Sequence, residues 1–226
     1  RVNLPDNFVV SRSLSSVVRA RVETVLIADA PGGLQVKLLL IPLGVQAAVR
    51  RSLCFLLQIL TSRSLTCVPH ARQGSLTSDD QLELAKFFIE AADTDTGVGD
   101  VVRIMLASAS RSPSVLDVQP MKQAVSTFDG ARRKYVRYAY NVERCTDDIY
   151  EGECLGSTSK RTALASVTIS SISQYRTNTE RQRAAELGQV RNVDVLWLLT
   201  ASAPAGGVDS STTQTLGQII ESFTIP

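Results

Sequence analysis

The sequence predicts an α+β sandwich, and three observations predict it. Runs with two-residue alternation recur from the first quarter of the chain to the last, near residues 18–28, 132–144 and 190–201, cleanest in the second. Helix-period apolar stripes stand between and after them. Strands and helices do not alternate one for one, so the order is that of a meander-like antiparallel sheet with helices added, not of repeated βαβ units.

The first element is a hairpin. In 18–28, Val18, Ala20, Val22 and Thr24 oppose Arg19, Arg21 and Glu23. The run ends at Pro31, Gly32 and Gly33, which supply the backbone angles of a reversal before the apolar stretch 34–43. Residues 44–60 fit a helix or a buried strand, because a short apolar run has no decisive period. After a polar loop, Ser78 followed by Gln81 has the form of a capping box. It opens a helix that buries Leu82, Ala85, Phe88, Ile89 and Ala92 and turns Glu83, Lys86 and Glu90 to water. Residues 93–100 break that helix, and 101–109 form a second apolar element of open type.

Strand character returns at 115–118 and 124–128, followed by the turn signal Asp129-Gly130. In 132–144, Val136, Tyr138, Tyr140 and Val142 share one face, and Tyr135, Arg137, Asn141 and Glu143 share the other. Tyr138, Tyr140 and Trp197 are assigned to the core. Residues 162–172 and 190–201 complete the strands, the last with Val193, Val195, Trp197 and Leu199 on one face. Leu216, Ile219, Ile220 and Phe223 then form a closing helix over 211–223. The whole reads as a single domain, 1–226, with surface excursions near 61–78, 145–160 and 175–189.

Composition narrows the function classes. At 44% hydrophobic and 20% charged residues the chain has the make-up of a folded globular protein. Its net charge of +2 gives no argument for nucleic acid. The apolar stretches 34–43 and 52–60 fall short of the roughly 20 residues that cross a bilayer. Residue 1 is Arg, and no charged head precedes an apolar run, so the expectation is that any targeting peptide has been removed or lies outside this sequence.

Four cysteines are compatible with three pairings or with free thiols. Cys145 and Cys154 flank a polar, turn-rich segment whose ends meet at bridging distance if the flanking strands pair, so a disulfide is expected there. Cys54 and Cys67 are a second possible pair, with Cys54 equally readable as a small buried hydrophobe.

The raw material for catalysis is thin. The single histidine, His70, lies in a loop. Neither cysteine pair has zinc-site spacing. Gly97-Val98-Gly99-Asp100 lacks the remaining residues of a phosphate loop and reads as a turn. Asp93, Asp95 and Asp100 lack the spacing of a calcium loop. Two basic clusters remain, Arg132-Arg133-Lys134 and Arg176, Arg181 and Arg183. With Tyr135 and Tyr175 beside them as aromatic anchors, they are candidate docking residues for an acidic partner, against the default of solvated faces.

Three of these segments carry a resemblance to the PsbP family. Lys134-Tyr-Val-Arg-Tyr-Ala-Tyr-Asn-Val-Glu143 resembles its long aromatic central strand. Val193-Asp-Val-Leu-Trp-Leu-Leu-Thr-Ala-Ser-Ala-Pro204 resembles its strand ending in a Thr-Ala-Ser-Ala-Pro turn, and Ile219-Ile-Glu-Ser-Phe223 its closing helix. Leu4-Pro-Asp-Asn-Phe8 and the first hairpin match in order and length, and 44–119 in outline only. The resemblance implies an α/β/α sandwich around a mainly antiparallel sheet. It implies a non-catalytic extrinsic subunit in the chloroplast thylakoid lumen, peripheral to the membrane and docked on photosystem subunits, photosystem II ahead of photosystem I. It further implies shielding of the oxygen-evolving side, no directly bound cofactor, and an indirect part in retaining calcium and chloride. A photosystem I supercomplex subunit, a PsbP-like assembly factor, a nuclear Ran-binding-type module and a small hydrolase built on His70 remain as alternatives.

Overall fold

A computed structural model describes residues 1–13, 23–43, 76–90, 96–121, 124–147, 149–150, 153–173, 178–187 and 192–225. The expectations for residues 14–22 and 44–75, including Cys54, Cys67 and His70, lie outside them. So do those for Ala92, Asp93, Asp95, Tyr175 and Arg176.

The class is α+β. Eight described strands form one open sheet, and all their pairings are antiparallel. They are β1 (Val9–Ser13), β2 (Glu23–Ala30), β3 (Leu34–Pro42), β4 (Val115–Pro120), β5 (Val125–Phe128), β6 (Lys134–Cys145), β9 (Thr158–Ser173) and β10 (Asn192–Pro204). A separate two-strand ribbon, β7 (Ile149–Tyr150) and β8 (Glu153–Cys154), projects from the end of β6. The sheet order is β1-β2-β3-β10-β9-β6-β4, with β5 also on β6. This is not a plain meander, because the N-terminal hairpin joins the rest through the C-terminal strand, Lys37 opposite Thr200. Two short strands share the outer edge of β6, β5 along its first half and β4 along its second.

The reversal after β2 is as the sequence predicts: Gly32 and Gly33 have φ of 80° and 76°, a region that costs a side chain strain. The element 101–109 is helical, the greater part of α2 (Val98–Ser110). Gly97, with φ of 88°, caps it, so Val98-Gly99-Asp100 is its first turn and not a loop. The excursion 175–189 contains α3 (Asn178–Glu186). The closing helix is α4 (Ser210–Glu221), capped by Asp209.

The first helix, α1 (Ser78–Ala85), departs from expectation twice. Its cap is Thr77 and not Ser78: Thr77 Oγ1 accepts from Asp80 N–H at 3.1 Å while Thr77 N–H donates to Asp80 Oδ2 at 2.9 Å. Its buried stripe is Leu84, Phe87 and Phe88, whereas Leu82 and Ile89 are 57% and 53% exposed. Two apolar stripes compete on this helix, and the one holding both phenylalanines removes more surface from water. The chain continues as a π turn over Lys86–Glu90, which re-aims that pair.

Both sheet faces are covered. On one, Leu84, Phe87, Phe88, Val101, Ile104 and Met105 pack on Val136, Tyr138, Tyr140, Val142, Ala163, Ala165 and Val167. On the other, Leu216, Ile219, Ile220 and Phe223 pack on Val36, Leu38, Leu199, Ala201 and Ala203. Trp197 is half-buried, not fully in the core, and its indole N–H donates to Ser170 Oγ at 2.8 Å. The strand runs past its expected end at Ala201, and the Thr-Ala-Ser-Ala-Pro turn that the resemblance implies is extended instead, pairing along β9 as far as Arg161.

Candidate functional site

Strand alternation and turn chemistry divide the run Arg132-Arg133-Lys134 among three environments. The turn before β6 is built on Asp129, whose Oδ1 accepts from the N–H groups of Ala131 and Arg133, each at 2.9 Å. Within it Arg132 takes the left-handed conformation, φ 60°, and is exposed. Arg133 is half-buried and donates from Nη1 to the Ile225 carbonyl at 2.5 Å. Lys134 enters the strand pointing inward. It is 3% exposed, with its ammonium 3.9 Å from the Phe87 ring centroid. Its docking role is therefore corrected to a packing one.

Tyr135 is corrected in the same way, being 2% exposed. Its ring meets Phe223 edge to face at 5.9 Å; its hydroxyl donates to Asp129 Oδ2 at 3.1 Å and accepts from Ile225 N–H at 3.2 Å. A face opposite a buried one is not a wet face when helices cover both sides. Arg183 is exposed in the last turn of α3, and Arg181 lies on the same helix.

Cys145 and Cys154 form the expected disulfide, Cα to Cα 5.6 Å. The intervening segment folds as β7 and β8, and Thr146 and Asp147 tie it to Ser157 through hydrogen bonds of 2.8 and 3.0 Å. Of the aspartates expected as a loop cluster, Asp100 sits in α2 and shares Arg103 with Glu83, both contacts at 3.5 Å. Among the described residues no group of three or more His, Cys, Asp or Glu is placed to hold a metal ion, and no helix is long and apolar enough to cross a membrane.

Two grooves open beside α2 on the described surface. One, of about 290 Å³, lies between α1 and α2 over Phe87 and Ile104, rimmed by Glu83, Lys86, Asp100 and Arg103. The other, of about 410 Å³, runs between α2 and β4 over Val102, Leu106, Val118 and Pro120.

A third feature escapes any linear reading. Lys37 on β3, Arg161 on β9 and Arg144 on β6 share the sheet face that carries Tyr138 and Tyr140. The register sets this: Lys37, Thr200, Ala165 and Tyr138 stand in one row, Arg161 lies two same-face steps along β9, and Arg144 lies beyond it. The three cations follow one diagonal of the sheet. Arg161 is held flat, donating to the carbonyls of Gly33 and Ser202 at 2.6 and 3.1 Å and to Ser202 Oγ at 3.2 Å. Burial pushes the Lys37 ammonium down, and Arg144 and Arg161 push it further. Arg161 is lowered by burial and then by Arg144. Asp29 acts on both in the opposite sense, while its Oδ1 accepts from Gln35 at 2.8 Å. The only sequence signal was parity: Arg144 keeps step with Val136 to Val142, and Lys37 with Gln35 and Leu39.

No protein-family model, curated protein or solved structure matches this chain.

Proposed function

We propose that this chain is a non-catalytic docking domain of the PsbP kind, an extrinsic subunit on the lumenal side of a photosystem complex. Photosystem II is the first partner to test. The reading rests on the resemblance of three separate segments, and one observation supports it. Those segments converge in space: Tyr135 from the first packs on Phe223 from the third, and Leu199, Ala201 and Ala203 from the second join the same cluster. Resemblance spread over remote segments carries more weight when they build one unit of the fold. In this reading the domain binds no cofactor of its own, and any part in calcium and chloride retention is indirect, by covering the oxygen-evolving side.

The test is to separate solubilised photosynthetic complexes on a gradient, locate the chain by mass spectrometry, and repeat after a high-salt wash. Co-migration with photosystem II and release by salt are expected, since charged rims make attachment salt-sensitive. Co-migration with photosystem I moves the same docking role to that complex. Absence from both overturns the subunit reading in favour of an assembly factor.

A further inference from the structure

We infer that the strip of this sheet face bearing Lys37, Arg144 and Arg161, which is not buried as Tyr138 and Tyr140 are, is a docking surface for an acidic segment of a partner protein. This deepens the docking reading by naming the face and the chemistry that meets it.

The charge balance of the diagonal is set beside that of the three cations that have carboxylate partners. Among the described residues Arg111 pairs with Asp80 at 2.6 Å, Lys160 with Glu143 at 3.3 Å, and Arg103 with two carboxylates at 3.5 Å. On the diagonal, neither the Lys37 ammonium nor the Arg144 guanidinium has an ion pair among the described residues. One carboxylate, Asp29, acts on Lys37 and Arg161; it also accepts from the neutral Gln35 amide, which leaves its charge in place, and it offsets part of the positive field. Like charges drawn together, with Lys37 and Arg161 half-buried, disfavour the folded state unless something neutralises them. Three cations set against the single carboxylate of Asp29 leave an excess of positive charge that an anionic partner would neutralise.

The geometry also selects the kind of anion. Arg161 is fixed in place by two backbone carbonyls, so part of the ordering cost of binding is met in advance. The cations come from three strands and are interleaved with the polar groups of Gln35, Thr200 and Ser202, which supply neutral donors and acceptors. The cations span β3, β9 and β6, so a small free anion meets only part of the row. An extended segment with acidic residues at alternate positions presents its carboxylates in a row, about 7 Å apart, and can follow the diagonal.

The experiment titrates the isotope-labelled full chain with the capped peptide Asp-Ser-Asp-Ser-Asp, and separately with sodium sulfate, at one ionic strength maintained with sodium chloride. Amide and guanidinium resonances give site and affinity. Saturable peptide binding that shifts residues 35–37, 144, 161 and 200–202 is expected, with sulfate markedly weaker. Lys37→Gln combined with Arg144→Gln should weaken the peptide by at least about tenfold, as loss of complementary charges does. Arg132→Gln combined with Arg183→Gln should leave it unchanged. Arg144 is exposed, so Arg144→Gln alone retains the fold and still separates the outcomes. Absence of saturable peptide binding, binding indifferent to the Lys37 and Arg144 changes, or sulfate bound as tightly as peptide would each overturn the inference. No photosystem preparation enters this test, so it and the lumenal-subunit reading can fail separately.

Discussion

Replacing Tyr135 by Phe separates its ring from its hydroxyl and tests how the C-terminus is held. The ring would keep its edge-to-face contact with Phe223. The hydroxyl's two hydrogen bonds, to Asp129 Oδ2 at 3.1 Å and from Ile225 N–H at 3.2 Å, would be lost. Burial is the main influence raising the phenol's pKa, so at neutral pH the group is a protonated donor. Asp129 would retain the Ala131 and Arg133 amides, but the Ile225 N–H would be left without its acceptor in a buried place. A stranded buried donor costs about 1–3 kcal/mol, and a hydrogen bond to a charged acceptor is worth about 1.5–3 kcal/mol. Allowing for partial overlap, Tyr135→Phe should lose about 2–4 kcal/mol. For a chain of this size that lowers the melting temperature by roughly 5–15 °C. Thermal and urea denaturation followed by circular dichroism, with Asp129→Asn and the double variant to close a cycle, reads both the loss and the coupling. A loss below about 0.5 kcal/mol would refute the assignment of this hydroxyl as the clamp on the C-terminal segment after α4.

Other consequences follow from the same geometry. Changing Cys145 and Cys154 together to Ser opens a link of sequence separation 9 and should cost about 2–3 kcal/mol by loop entropy, while maleimide should label neither thiol in unreduced wild-type protein, native or denatured. Asp80 and Asp129 both lie below the ordinary carboxylate value of 3.8: burial alone would raise them, but is outweighed at Asp80 by Arg111 and Thr77, and at Asp129 by the Arg133 amide, the Tyr135 hydroxyl and the Ala131 amide. Because the folded values are lowered, their contribution is present above pH 3.8 and is lost as pH falls through them, so Asp80→Asn and Asp129→Asn should flatten the acid limb of the stability profile. Lys37→Gln should make the free protein slightly more stable at neutral pH, by less than about 1 kcal/mol because the group is half-exposed, and equilibrium urea titration checks the sign.

Much of the fold was legible because its strongest signals are local. Alternation in β6 and β10 and the stripe Leu216, Ile219, Ile220 and Phe223 each need only one element to be recognised, and all of them point into the core. The Cys145–Cys154 bridge was legible for the same reason, since a short polar segment between two strand ends brings the thiols together. What escaped was decided by partners remote in sequence. Leu82 and Leu84 are equally apolar, and only the seating of Phe87 and Phe88 on Val136 and Tyr138 chooses between their faces. Tyr135 and Lys134 look like the start of a solvated strand until helices are known to cover both sides of it. The pairing of β3 with β10 joins Lys37 to Thr200, and nothing within either segment announces it.

That pairing is also what creates the basic diagonal, and this links the fold to the proposed role. A chain built only for stability would place Lys37, Arg144 and Arg161 where water screens them from one another. Here the β3–β10 junction carries Lys37 into the field of two guanidinium groups, and Gly33 and Ser202 hold one of those groups in place. On the opposite face the arginines have structural employment: Arg133 and Arg137 donate to the carbonyls of Ile225 and Glu221, securing the C-terminal segment, and the N-terminal amine of Arg1 meets Thr224 there as well. Arg133 and Arg137 thus help to close the fold, as Lys134 and Arg161 do on the other face, whereas Lys37 carries its charge beside two like charges. Lys37→Gln makes that distinction measurable, because a group kept for binding should stabilise the free domain when neutralised and weaken the complex. If the same change destabilised the free domain, Lys37 would belong to the architecture, and the diagonal would lose its claim to be a docking surface.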